Sequence, residues 1–207
     1  MLRQGIADMS LVLPGASIDR LTKYLQLLVK WNRVYNLTAL RDEASLVTHH
    51  VLDSLAVVEH LPGGNVVDVG SGAGLPGVPI AIACPGRAVT LIDSNNKKSA
   101  FLKQVIAELD LSHVNVVTNR VEAYQPPELF STVISRAFAN LAAFVTLAGH
   151  LRAADGVMIA MKGLDPGEEV ARVPPSWKII STLPLEVPQL GASRHLVFLR
   201  PAAMAPN

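Results

Sequence analysis

Asp68-Val69-Gly70-Ser71-Gly72-Ala73-Gly74-Leu75-Pro76-Gly77 decides how this 207-residue chain is read. The apolar run Val66–Val69 enters it and the apolar run Val78–Cys84 leaves it. Strand, glycine turn, helix is the reading. Glycines let the backbone reverse tightly and approach a ligand closely, and the start of the helix offers N–H groups that no helical carbonyl takes. Pro76 suits the first helical turn, where a missing N–H does no harm. A turn serving only helix-to-sheet packing is the bland alternative, but Gly70, Gly72, Gly74 and Gly77 exceed what packing asks.

Working outward, strands and helices alternate from Asn65 onward. Leu75–Cys84 reads as a helix, Ala88–Ile92 as a strand, and Asn96–Asp110 as a helix with Phe101, Leu102, Val105, Ile106 and Leu109 apolar. Strands follow at Val114–Val117 and Thr132–Ser135, a helix at about Asn140–Leu151, and a strand at Val157–Met161. The switching period is that of βαβ units, and continuous apolar strands imply a parallel sheet buried on both faces. Trp177–Leu183 and His195–Leu199 have no helix between them, which predicts antiparallel pairing at the C-terminal edge of the sheet. Pro174-Pro175 and the tail from Pro201 to Asn207 read as irregular. Before the sheet, residues 1–62 form a helical extension and residues 63–207 one compact α/β domain. Leu21, Tyr24, Leu25, Leu28 and Trp31 mark one helix, with Ser17 or Asp19 placed to cap it. A second runs from about Glu43 to Leu61, with Leu46, Val47, His50, Leu55, Val58 and Leu61 near one face. Pro62-Gly63-Gly64 ends it.

Composition narrows the function. Half the residues are hydrophobic and 17% charged, and Lys+Arg 18 against Asp+Glu 17 leaves a formal net charge of +1. An ordinary globular domain is expected, with no overall field toward nucleic acid or membrane, so any basic surface is local. Cys84 is the only cysteine, which excludes an internal disulfide and CxxC chemistry. No signal peptide or membrane span is legible, so a cytoplasmic monomer without a membrane partner is the expectation. His49, His60, His113, His150 and His195 lack ligand spacing, and no metal is expected.

Two ligand classes suit the glycine turn. Gly72 to Gly77 fit G-x-G-x-x-G, and Asp93 ends the next strand where a dinucleotide's ribose would lie. The other reading is S-adenosylmethionine. Asp68 in the first strand, just before Gly70, Gly72 and Gly74, suits a ligand carrying an ammonium and a sulfonium, and the terminal hairpin leaves little room for a second mononucleotide-binding half. For Asp93 the structural alternative is a carboxylate at the start of the following helix, with Ser94 as a rival cap.

With these residues in view, the chain resembles the bacterial small-subunit ribosomal RNA methyltransferase G family, also called glucose-inhibited division protein B. The resemblance rests on Trp31-Asn32, Asn36-Leu37-Thr38, His50-Val51-Leu52-Asp53-Ser54-Leu55 and the Asp68–Gly77 loop. It continues through Ile92-Asp93-Ser94, Lys97-Lys98, Phe101-Leu102, Arg120-Val121-Glu122, Ile134–Ala139, Met161-Lys162-Gly163 and Arg194-His195-Leu196-Val197. It implies a class I, Rossmann-like methyltransferase sheet that uses S-adenosyl-L-methionine. It also implies methylation of guanine N7 in the 530 loop of 16S rRNA, at guanine 527, with 16S rRNA or the small ribosomal subunit as partner. The cofactor residues so implied are Gly70, Leu75, Asp93, Val121, Glu122 and Arg136, to which the loop reading adds Asp68, Ser71, Gly72, Gly74 and Ser94.

The residues speak to the chemistry as well. The only thiol lies in an apolar run, against the cysteine mechanism of cytosine C5 methylation. Ser135-Arg136-Ala137-Phe138 stands where exocyclic-amine methylation uses an Asn/Asp-Pro-Pro-aromatic loop. Guanine N7 carries an exposed lone pair, so in-line transfer needs positioning and no general base. Arg136 and Lys162 are the expected positioning groups, at strand ends on the ligand side. Lys97, Lys98, Lys103, Arg120 and Lys162 are the expected RNA contacts, with a modest salt dependence. His50 and Asp53, one helical turn apart, are read as a structural pair, and Trp31 and Tyr35 as core. Two rivals remain: a nicotinamide-dependent oxidoreductase, and a non-catalytic factor that binds rRNA and uses the pocket as a sensor.

Overall fold

The computed structural model describes residues 1–202 except Ala137, Ala139 and Asp165. Seven strands form one sheet: β1 (Val66–Val69), β2 (Val89–Asp93), β3 (Val114–Thr118), β4 (Phe130–Ser135), β5 (Arg152–Lys162), β6 (Trp177–Leu185) and β7 (Arg194–Pro201). Their order is β3-β2-β1-β4-β5-β7-β6. β1 to β5 are parallel, and β7 is antiparallel to both β5 and β6. The fold is the expected mostly parallel α/β sheet. At its antiparallel end β7 lies inside and β6 forms the edge, because the β6–β7 hairpin docks through its second strand. Strand order reverses between β1 and β4, so the crevice at the C-terminal ends of these two strands is the natural ligand position.

Alternation along each strand sends side chains to both faces, as the unbroken apolar runs require. Val66, Leu91, Ile134, Ile159 and Leu196 join one core with the N-terminal helices, while Val67, Val69, Ile92, Val133 and Met158 join another. The first face is covered by α2 (Gly15–Tyr35), α5 (Gly77–Ala83) and α6 (Asn96–Leu109), with Leu21, Tyr24, Leu28, Phe101 and Leu102 fully buried. The second is covered by α7 (Leu141–Ala148), through Leu141, Phe144 and Val145. At about 25 cal/mol per Å² of buried apolar area, such layers supply most of the stabilisation. Among the described residues no helix is long and apolar enough to cross a membrane.

Several local expectations are corrected. A helix absent from the sequence reading, α1 (Leu2–Asp8), opens the chain and presses Gly5 against Leu52. α2 begins at Gly15 behind Pro14, so neither Ser17 nor Asp19 caps it; Ser17 Oγ instead donates to the carbonyl of Ile82 on α5 at 3.1 Å. The second expected helix is broken into α3 (Glu43–Leu46), a π-helical turn over Val47–Leu52 and α4 (Asp53–Leu55). Val51, Leu52, Asp53, Ser54 and Leu55 are all buried, so one apolar face could not describe it. Trp31 packs on Phe101 at 5.6 Å as a core residue should, but Tyr35 is 44% exposed because α2 ends there. Pro201 closes β7, and the rest of the expected irregular tail, from Ala203, lies outside the described residues.

Candidate functional site

The turn after β1 is built by three ties. Gly70 and Ser71 donate their amides to the carbonyl of Ile92 at 2.9 and 3.0 Å, so β1 stays bound to β2 past its own end. Asp93 then accepts the amide of Gly72 at 2.8 Å through Oδ2 and that of Asn95 at 2.8 Å through Oδ1. The hydroxyl of buried Tyr24 donates to the carbonyl of Ala73 at 2.7 Å, tying α2 to the crest of the turn. Gly70, Gly72 and Gly74 all have positive φ, which only glycine adopts without strain.

Asp68 lies beneath the turn, with no exposed surface. Its Oδ2 accepts the amide of Gly77, the first residue of α5, at 2.9 Å. Burial pushes its carboxyl up to about 7, against the opposing pull of that amide. The Gly77 bond also explains why α5 starts at Gly77 with Pro76 as its N-cap rather than in the first turn. α6 is capped by Asn95, which accepts from the amides of Lys97 and Lys98, so neither Asp93 nor Ser94 is its cap.

Above the turn opens a cavity of about 440 Å³, lined by Val69, Gly70, Ile92, Asp93, Ser94, Lys98, Asn119, Arg120, Val121, Glu122 and Phe138. Five of the expected cofactor residues meet there: Gly70, Asp93, Ser94, Val121 and Glu122. Gly72 stands at the rim, where a Cβ would come within 4.0 Å of Lys98 Nζ. Asp68, Ser71, Gly74 and Leu75 lie below as supports. Ser71 Oγ donates to the carbonyl of Asp68, Leu75 is in the core, and a Cβ on Gly74 would collide with Val78 and Leu102. Lys98 and Arg120, expected on RNA, line this cavity, and Arg120 reaches Glu122 at 3.8 Å. Neither Asn119 nor Phe138 was expected as a site residue: Phe138 was quoted only within the motif after strand four, and Asn119 was legible only as the residue preceding Arg120-Val121-Glu122. Lys97 and Lys103 are exposed on α6.

Arg136 follows β4 but faces a second cleft, of about 310 Å³, with His49, His50, Asp53, Met161, Lys162, Gly163 and Arg194. Its Nη1 donates to Asp53 Oδ2 at 3.1 Å and to the carbonyl of His49 at 2.9 Å. Arg194 Nε donates to Asp53 Oδ1 at 2.8 Å. Lys162 Nζ pairs with Glu169 at 2.8 Å and donates to the carbonyl of Phe138 at 3.4 Å. The expected His50–Asp53 pair is therefore replaced: Asp53 serves two arginines, while His50 Nε2 meets Thr38 Oγ1 at 2.7 Å and its Nδ1 meets the carbonyl of His49 at 3.0 Å. Arg136 Nη2 also stands 3.5 Å from Nδ1, but the His49 carbonyl is nearer and only accepts, which assigns the proton to Nδ1 and leaves Nε2 to accept from Thr38. Burial, then Arg136, holds the His50 imidazole down at about 4, keeping it neutral. Among the described residues no group of three or more His, Cys, Asp or Glu is placed to hold a metal.

Comparison with known proteins agrees with this architecture. Residues 17–197 match the family described as rRNA small subunit methyltransferase G. The chain is 53% identical over 197 residues to the ribosomal RNA small subunit methyltransferase G of Chromobacterium violaceum, covering 95% of this chain and 94% of that one. It is 50% identical to the protein of the same name from Methylobacillus flagellatus, covering 96% of each. Among solved structures, a glycopeptide N-methyltransferase complexed with (S)-adenosyl-L-methionine superposes with a TM-score of 0.61 at 12% identity, over 72% of this chain and 93% of the other. A ribosomal protein L11 methylase from Lactobacillus delbrueckii subsp. bulgaricus does so with a TM-score of 0.55 at 14% identity, over 77% and 79%. These distant likenesses bear on the fold alone, whereas the match along 17–197 and the half-identical relatives establish that the chain belongs to the rRNA small subunit methyltransferase G family.

Proposed function

We propose that this protein transfers the methyl group of S-adenosyl-L-methionine to guanine N7 in the 530 loop of 16S rRNA. The observation that carries the reading is that Phe138 and Arg136, two positions apart after β4, line two different clefts, of which only the first offers carboxylates between apolar walls and only the second gathers paired arginines. Phe138 lines the first, which offers the carboxylates of Asp93 and Glu122 between apolar Val69, Ile92 and Val121. Arg136 lines the second, which gathers Arg136, Arg194 and Lys162.

The first cleft fits the proposed cofactor by its donor set. Carboxylates at the ends of strands suit ribose hydroxyls, apolar walls suit a flat base, and Gly72 leaves room for close backbone approach. Gly70, Asp93, Ser94, Val121 and Glu122 would hold it, and when bound it supplies an electrophilic methyl on a sulfonium. The chain's own work is positioning. Arg136 and Arg194 present planar donors, which suit guanine O6 or a phosphate, and leave N7 without a competing proton. His50 is neutral and its accepting nitrogen is taken by Thr38, so it has no base role. A reaction at a lone pair asks for none. Lys97, Lys98, Lys103, Arg120 and Lys162 then supply phosphate contacts around the crevice.

The test is transfer from labelled S-adenosyl-L-methionine to small subunits from cells lacking this protein, followed by nuclease digestion and nucleoside mass spectrometry. Label in 7-methylguanosine at one 530-loop site is the expected result. Label in another nucleoside, or cofactor binding without transfer to subunits or stripped rRNA, overturns the assignment.

A further inference from the structure

Asp53 belongs to the helical extension, yet it reaches across to the sheet. Its side chain is 2% exposed, and each of its oxygens takes a different guanidinium: Oδ2 that of Arg136 after β4, Oδ1 that of Arg194 at the start of β7. One carboxylate therefore holds two cations that enter from either side of β5. Burying a carboxylate is expensive unless it is fully paired, and a second arginine adds a desolvated charge beyond what neutralisation needs. Stability alone gives no reason for two.

The geometry gives another. Arg194 donates Nε to Asp53 and Nη1 to the carbonyl of Ser193, and Arg136 donates Nη1 to Asp53 and the His49 carbonyl with Nη2 3.5 Å from His50 Nδ1, so each guanidinium, with five N–H groups, keeps some in reserve. Their side chains stay 19% and 25% exposed, on the cleft that also holds Lys162. The surroundings repeat the arrangement. The His49 carbonyl takes the same nitrogen of Arg136, and Thr38 and the His49 carbonyl fix His50 beside it. A π-helical turn over Val47–Leu52 immediately precedes Asp53, a distortion that frequently accompanies functional positions.

We propose that Asp53 is a positioning residue for methyl transfer. It sets Arg136 and Arg194 at a fixed separation, with their outer N–H groups turned to one acceptor set on the RNA. The inference rests on the function proposed above. Asp53 itself touches neither RNA nor cofactor.

The test is Asp53→Asn in the full chain, with three readouts. Cofactor affinity by calorimetry stays within about twofold of wild type, because the first cleft is not touched. kcat/KM for small subunits falls roughly 10- to 100-fold, the range of a lost charge-assisted hydrogen bond. In a background carrying Arg136→Gln and Arg194→Gln, the same substitution has no further effect, which a merely structural residue would not obey. The ¹⁵N-edited Nε–H resonance of Arg194, ordered in wild type, broadens or vanishes in the variant. Asp53→Glu keeps the charge and covers the case in which Asp53→Asn fails to fold: it preserves the resonance but displaces both arginines, and turnover still falls. Undiminished kcat/KM in a folded variant, an additive penalty in the arginine-free background, or an unchanged Arg194 signal overturns the proposal. If wild-type protein transfers no methyl group to subunits, the function reading fails instead, and the Arg194 resonance still decides whether Asp53 orders the pair.

Discussion

The carboxylate of Asp93 accepts the amide of Gly72 at 2.8 Å, so the acidic end of β2 holds the glycine turn that follows β1. Its other oxygen holds the amide of Asn95, the cap of α6. A carboxylate has about four acceptor positions, so both ties leave capacity toward the cavity.

Asp93→Ala should therefore lower S-adenosyl-L-methionine affinity by roughly 10- to 100-fold while lowering stability by only about 1–3 kcal/mol, the range for an unmade buried bond. Calorimetric titration beside urea denaturation separates the two. An affinity loss no larger than the stability loss explains would remove Asp93 from the cofactor site.

Tyr24→Phe deletes one hydroxyl and strands the carbonyl of Ala73, inside a site with no exposed surface on Tyr24. A cost of about 1–3 kcal/mol is expected in denaturant unfolding, together with a several-fold weaker cofactor. Unchanged affinity would show that α2 supports the turn without shaping it. This residue illustrates what local pattern cannot carry. The spacing of Leu21, Tyr24 and Leu28 placed Tyr24 on a buried face, but its bond partner lies 49 positions away and no periodicity points to it.

Gly77 and Gly86 offer a paired experiment on α5 and the loop beyond it. A Cβ at Gly77 would strike Leu91 and come within 2.8 Å of Asp68 Oδ2, whereas one at Gly86 meets nothing within 4 Å. Gly77→Ala should lower the melting temperature by several degrees or prevent folding, and Gly86→Ala should be neutral within about 0.5 kcal/mol. Differential scanning calorimetry of both decides it, and equal effects would be a failure of the packing argument.

Two buried groups give opposing pH dependences. Asp68, raised from 3.8 to about 7, binds its proton more tightly when folded, so its contribution is full below 3.8 and is lost as pH rises through about 7. His50, lowered from 6.5 to about 4, binds its proton less tightly when folded, so its contribution is present above 6.5 and lost as pH falls toward 4. Asp68→Asn should remove the decline in stability as pH rises from 3.8 to about 7, and His50→Gln the decline as pH falls from 6.5 toward 4. Melting curves across this range test both, and a parallel shift of the whole profile in either variant would contradict the assignment.

The succession of strands, the parallel sheet, the antiparallel end and the glycine turn were legible in the sequence, because each is written in local physics, whereas α1 and the break in the second helix were not. Strand and helix periods differ, and glycines and prolines mark where the backbone must turn. Family membership was legible for the related reason that its motifs run in order along most of the chain. Tertiary structure alone decided the second cleft. Asp53 meets Arg136 across 83 positions and Arg194 across 141, and no spacing rule reaches so far. It also separated residues that line the cavity above the glycine turn, such as Asp93 and Glu122, from those buried beneath it, such as Asp68 and Leu75. Val69 and Gly70 line that cavity while Asp68 and Gly74 are held against α5 and α6 and Ala73 against α2, so which neighbour in sequence faces a ligand is set by packing.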